Sequence, residues 1–219
     1  MLKTTDGKTV AAGDLVQVGH GDRVTSRLTF HFRDGSLDDE TAIFTQRKFI
    51  QLVSDHHVQH GPSFPHPLDM RVDVAGGNVW YLDKDGKARQ DHFDLTPDTL
   101  NGLFLPVLLN LNSNDDPIRL AMVVPAPKPR LAHVQITSDG EDAVTIGGVH
   151  HKATDYRLKL ELGGIAGVVA PIIGKQPSDI HIWILQGDAP AFVRAEGQFY
   201  EGGPIWRIEL TSPVFAATR

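Results

Sequence analysis

The stretch RVTSRLTFHFR, residues 23–33, decides the fold class. Val24, Leu28, Phe30 and Phe32 fall at one parity, with Ser26 the exception among them, while Arg23, Thr25, Arg27, Thr29, His31 and Arg33 fall at the other. A period of two is the mark of a strand with one face on a core and one in water. DYRLKLELG, residues 155–163, repeats it: Tyr156, Leu158, Leu160 and Leu162 alternate with Asp155, Arg157, Lys159 and Glu161. Such alternation favours antiparallel sheet over the uniformly apolar strands of a parallel core.

Working outward, further strands are expected near 14–18, 37–45, 49–60, 70–74, 78–82, 88–94, 118–124, 131–137, 143–149, 180–186, 191–195 and 205–211. Turn chemistry separates many of them: RDGS at 33–36, AGGN at 75–78, DKDG at 83–86 and SDGED at 138–142. Many short strands at close intervals predict a mainly β domain, a large curved antiparallel sheet forming a half-barrel or barrel. The proline-rich VPAPKPR at 124–130 is the nearest thing to a boundary, but strand patterns flank it on both sides. One domain over residues 1–219 is therefore expected.

One segment departs from the pattern. In LTPDTLNGLFLPVLLNLNSNDD, residues 95–116, Leu100, Leu103, Phe104, Val107, Leu108 and Leu111 follow helical spacing. Thr96 suits a cap, Pro97 the first helical position and Asp98 the positive end of the dipole. Pro106 removes one helical hydrogen bond and crowds the preceding turn. The spacing predicts a central apolar helix over 97–111, kinked at Pro106.

Composition bounds the function. Apolar residues make up 41% and charged residues 22% of 219, enough to build a core. Net charge is −6 and the Lys and Arg are dispersed, unlike the basic patch of a nucleic-acid binder. The longest uncharged stretch, Leu162 to Gly174, is shorter than the roughly 20 residues of a membrane-spanning helix. Cysteine is absent, which excludes disulfides, thiolate metal sites and cysteine nucleophiles. No leader is visible in MLKTTDG, the opening expected of a mature domain or of a cytosolic protein alike.

SDHHVQHGPSFPHP, residues 54–67, holds four histidines and raises the question of a metal. On a strand, His56 and His60 share a face about 13 Å apart, and His57 points the other way. Zinc needs its nitrogen ligands within about 2.1 Å, so these three do not make a site alone, and no metal is expected. His150 and His151, as strand neighbours, also point apart. GGIAGVVAPIIGKQP, residues 163–177, has Val169 and Gln176 where a phosphate loop requires Gly and Ser or Thr. It reads as an apolar loop, or as the lining of a cavity mouth. Neither GxSxG nor HExxH is present, and no cofactor is expected. Asp38, Asp39 and Glu40 are carboxylates whose adjacent members diverge on a strand.

The segments YRLKLELGGIAGVVAPIIGKQPSDIHIWIL, EGGPIWRIELTSPVF and SDHHVQHGPSFPHPLDMRVDVAGGNV carry a resemblance. Over most of its length the chain resembles an uncharacterised bacterial family of secreted or envelope β proteins, which implies a periplasmic or secreted location and no specific activity. In architecture it is similar to the half-barrels of lipoprotein carriers, whose curved sheet wraps helices and leaves an apolar cleft. The expected function is thus a non-catalytic carrier or sensor of an apolar, lipid-like ligand. Phe30, Phe32, Leu100, Leu103, Phe104, Val107, Leu158 and Leu160 are its expected lining. The alternatives are an envelope interaction or structural domain with a protein partner, and a metal-dependent hydrolase using His56, His57 and His66 with Asp69 or Asp55.

Overall fold

The computed structural model describes residues 1–125, 128–146, 149–161 and 177–211. Alternating sequence becomes strand throughout. The first half of the chain forms β1 (Leu2–Thr4), β2 (Thr9–His20), β3 (Arg23–Phe32), β4 (Leu37–Gln46), β5 (Ile50–His60), β6 (Leu68–Asp73), β7 (Asn78–Leu82) and β8 (Ala88–His92). The second half forms a short helix, α1 (Phe104–Leu108), then β9 (Ile118–Val124), β10 (Arg130–Ile146), β11 (Val149–Glu161), β12 (Ile180–Leu185), β13 (Ala191–Gln198) and β14 (Ile205–Glu209).

All fourteen strands lie in one antiparallel sheet, ordered β8 through β1, then β14 back through β9. Each half is a meander, and the two join where β1 pairs with β14, Leu2 opposite Ile208. The sheet is not closed, since β8 and β9 form its edges. It nevertheless folds over on itself. Phe44, Leu52, Met70 and Val79 from one wing share a core with Val134, Tyr156, Leu158 and Ile184 from the other. A second core of Leu2, Ala11, Phe30, Phe32, Phe64 and Trp206 packs further along the same inner face. Its aromatic rings meet mostly edge to face, with Phe32 and Phe64 centroids 5.2 Å apart.

The parity expected of β3 is observed, with Phe30 and Phe32 buried; Ser26 is buried with them. On β11, Tyr156 and Leu158 are buried and Leu160 packs against the same core, while Leu162 lies outside the described residues. The apolar stretch 163–174 also lies outside them. Two expectations need correction. SDGED does not turn the chain; β10 runs through it, and the register shifts between Ser138 and Glu141. Gly140, at φ +112°, supplies the left-handed residue that a bulge tolerates and most side chains do not.

The second correction is the central helix. Only Phe104–Leu108 is helical, not 97–111. Pro106 does not kink a long helix; it sits in the first turn of a short one, where its missing N–H has no intrahelical partner to lose. The residues before it are used otherwise. Pro97 O accepts from Leu52 N on β5 at 2.9 Å, and Leu100 N donates to Ala121 O on β9 at 2.8 Å. Asn101 bonds twice to the Val123 backbone, at 2.9 Å each. The segment thus caps the edge of β9 and ties it to the opposite wing, while Leu100, Leu103 and Leu108 plug the core. Apolar spacing reported the burial correctly, but edge satisfaction outweighed helix formation.

Gly102 makes this turn possible. Its φ is +64°, and a Cβ there would lie 2.6 Å from Ala42 Cβ and 2.9 Å from Asp55 Oδ1. Gly102→Ala is expected to cost roughly 1–3 kcal/mol from crowding and backbone strain combined. Urea unfolding of the variant checks this; an unchanged midpoint would show that the turn relaxes freely.

Candidate functional site

The inner face carries one polar cluster between its two apolar cores, on β4 and β5. Asp38, Glu40, Ala42 and Phe44 alternate inward along β4, opposite Gln59, His57, Asp55 and Leu52 of β5. The register of β5 slips between Ile43 and Phe44, with Val53 as the extra residue. Such a bulge exchanges the faces of every residue beyond it. Leu52 faces inward before the bulge, and Asp55, His57 and Gln59 face inward after it. Without the extra residue, Ser54 and His56 would have occupied the interior instead.

His57 Nε2 lies 2.7 Å from Asp38 Oδ1, and its Nδ1 lies 4.0 Å from Glu40 Oε1. Gln59 Nε2 donates to Asp38 Oδ2 at 3.3 Å and to Phe199 O at 3.0 Å, which fixes the carboxylate. Burial alone would lower the His57 pKa, but the Asp38 hydrogen bond and the charges of Glu40, Asp38 and Asp55 outweigh it and lift the pKa to about 9. Burial raises the pKa of Glu40, with the Asp38 charge adding to the effect and His57 opposing it. Asp55 is pushed well above the usual carboxylate range by burial and then by Glu40. Both Asp55 oxygens are buried and make no well-formed hydrogen bond among the described residues, the His56 N–H being near enough only to oppose the rise slightly. At 2% exposure, this is the least satisfied polar group of the cluster.

Successive strands place a row of side chains leading to the cluster. Leu15 pairs with Leu28, Leu28 with Glu40, Glu40 with His57, and His57 with Met70. The neighbouring row runs Gln17, Ser26, Ala42, Asp55 and Val72, with Gln17 Nε2 donating to Ser26 Oγ at 3.2 Å. The wall is open beside the first members. β1 pairs with β2 only at Thr9 and Ala11, so Ala12–His20 have no strand neighbour on that side among the described residues. Leu15 faces the concave side yet is 45% exposed. Further in, the side chains of Glu40 and His57 keep 23% and 18% exposure, and Met70 is buried.

The histidine stretch is divided by the sheet, as expected of a strand. His57 is inside, whereas His56 bonds Asp69 at 2.9 Å on the outer face. His60 and His66 are exposed, and so are His150 and His151. The hydrolase constellation of His56, His57, His66, Asp69 and Asp55 is therefore not brought together. Among the described residues, no three His, Asp or Glu side chains are placed to hold one metal ion. The expected lining also divides. Leu100, Leu103 and Leu158 are buried in the first core, with Phe104, Val107 and Leu160 packed against it; Phe30 and Phe32 belong to the second.

The pairing of Asp38 with Glu40 is the feature that sequence reasoning missed. Adjacent carboxylates diverge, but these two are i and i+2, on the same face as Ala42 and Phe44. Extending that parity along β4 was the available signal. An open cleft of about 490 Å³ lies elsewhere, lined by Asp91, Phe93, Lys128 and Arg130 among others, and contains none of the cluster residues. Comparison of the chain with protein-family models, with curated proteins and with solved structures finds no match.

Proposed function

We propose that the protein is a non-catalytic binding protein that takes an apolar, lipid-like ligand on the inner face of its folded sheet, entering beside β2. The observation that carries this reading is Leu15, an apolar side chain on the concave side that is 45% exposed at a gap in the wall. Leu28 continues the apolar path inward, half-buried. At 45% exposure, a core-facing leucine forgoes about half of the roughly 1.5–3 kcal/mol that full burial supplies. A ligand chain lying along Leu15 and Leu28 recovers it. The bridge between β8 and β9 supports the same reading, because among the described residues a segment of turns and five helical residues, rather than a strand ladder, joins the wings at that edge. The resemblance to envelope β proteins suits a carrier or sensor outside the cytoplasm.

The test uses the neutral probe N-phenyl-1-naphthylamine. Saturable fluorescence enhancement is expected with the wild-type protein. Leu15→Glu is expected to weaken it roughly tenfold while leaving far-UV circular dichroism unchanged, since the position is exposed and the change sets a charge where the apolar contact was. No saturable signal, or a variant that binds equally well, overturns the proposal.

A further inference from the structure

We propose that the interior carboxylates form the head-group subsite of this ligand, and that the head group is an organic ammonium. The inference rests on the binding reading above and adds the chemical class of the ligand.

The charges select the sign. Asp38 and His57 are in contact at 2.7 Å and cancel one another. Glu40 and Asp55 remain, diagonal neighbours across β4 and β5, since Glu40 faces His57 and Ala42 faces Asp55. Among the described residues no Lys or Arg bonds to either of them, and an anionic head would meet three acidic side chains and one imidazolium. A cation is drawn to the same three acids, and its arrival offsets the burial that holds the Asp55 proton.

The unpartnered group selects the donor. Asp55 offers two buried oxygens that make no well-formed hydrogen bond among the described residues. A buried carboxyl left so forfeits the hydrogen bonds it had in water. Diagonal neighbours on an antiparallel pair lie about 7–8 Å apart at the backbone, and their side chains closer. One ammonium, with charge-assisted contacts of about 2.8 Å on either side, spans that separation. A bare metal ion does not suit, because no three ligating side chains among the described residues converge on one point. An ammonium needs only two carboxylates and carries its own hydrogens.

The approach selects the shape. Leu15 and Leu28 precede Glu40 in the row that starts at the gap, so an apolar chain reaches the acids head first. Glu40, with 23% of its side chain exposed, is met first. Asp55 lies one row on, beneath Gly102.

The experiment displaces N-phenyl-1-naphthylamine with dodecylamine, dodecanol and dodecanoate at pH 7, each below its micellar concentration. Wild-type protein is expected to prefer dodecylamine over dodecanol by roughly tenfold or more, with dodecanoate weakest. Asp55→Asn and Glu40→Gln should each bring the amine-to-alcohol ratio towards one, chiefly by weakening the amine. Two variants are used so that a folding defect in one leaves the other informative. Equal displacement by amine and alcohol, or a preference that survives both substitutions, overturns the head-group subsite while the apolar reading stands. Failure of the probe and of all three chains to bind overturns both.

Discussion

Asp55→Asn is expected to make the protein more stable at pH 9 and to flatten the pH dependence of its stability. Three inward groups of the cluster have folded-state pKa values above their ordinary ones: Asp55 and Glu40, both raised first by burial, and His57, lifted to about 9. A raised folded pKa means that the folded state holds its proton where the unfolded chain has released it. Stability then falls with rising pH, from the ordinary carboxylate range for Asp55 and Glu40 and between about 6.5 and 9 for His57. Asp34, Asp39 and Asp83 have lowered pKa values and act in the opposite sense, but only in the acid range below their ordinary values. Above about pH 5, the interior cluster therefore contributes a falling slope, joined by Asp155, which burial raises, and opposed by the Met1 amino group, which burial lowers. Asparagine has the same shape and does not ionise. Its amide also lacks a partner, so little difference is expected at pH 5. At pH 9 the gain is expected to be roughly 1–3 kcal/mol, or several degrees of melting temperature in a domain of this size. Melting curves of both proteins at pH 5, 7 and 9 decide it. Parallel pH profiles, or a variant less stable at pH 9, would show that Asp55 is not under ionisation stress.

Leu103→Ala should be among the most destabilising single truncations in the chain. Leu103 is 1% exposed and precedes α1 at the point where the bridging segment enters the core. Its removal leaves a cavity between two wings that no strand ladder joins at that edge. Leucine truncations in such positions cost about 2–5 kcal/mol, the upper end applying where the surroundings do not collapse. The hydrogen bonds of Leu100 and Asn101 to β9 restrain collapse here. Urea unfolding with an unchanged slope and a reduced midpoint would confirm it. A loss below about 1 kcal/mol would mean that the segment is peripheral to the wings rather than their bridge.

What was legible in the sequence followed from side-chain parity. The strands around Phe30 and Leu158 announce themselves because one face is apolar and the other charged, and that alternation is local. The bridge was legible only as burial. Leu100, Leu103 and Leu108 report contact with a core, but the partners that fix the segment, Leu52 for Pro97, Ala121 for Leu100 and Val123 for the Asn101 side chain, are distant in the chain. Helical spacing could not weigh those bonds against its own. The cluster was hidden for a related reason. Which of His56 and His57 points inward depends on a single extra residue near Val53, and bulges leave almost no mark in composition. The carboxylates of β4 did follow parity, but they are polar residues on an apolar face, which a search for alternation discounts.

The junction of β1 with β14 has a mechanical consequence. It rests on three paired positions, Leu2 with Ile208, Lys3 with Arg207 and Thr4 with Trp206, at the middle of the sheet. Met1 and Glu209 lie together at one end of it, where the Met1 amino group and carbonyl each bond the Glu209 backbone at 2.9 Å. Traction applied at those two points loads the pairs one after another, as a zipper is opened, instead of shearing them together. The two meanders then part as intact hairpin stacks once their shared core, the Gln59–Phe199 hydrogen bond and the bridge from Pro97 to Asn101 give way. For a long single sheet, the place of least resistance to force is thus its centre rather than its edges.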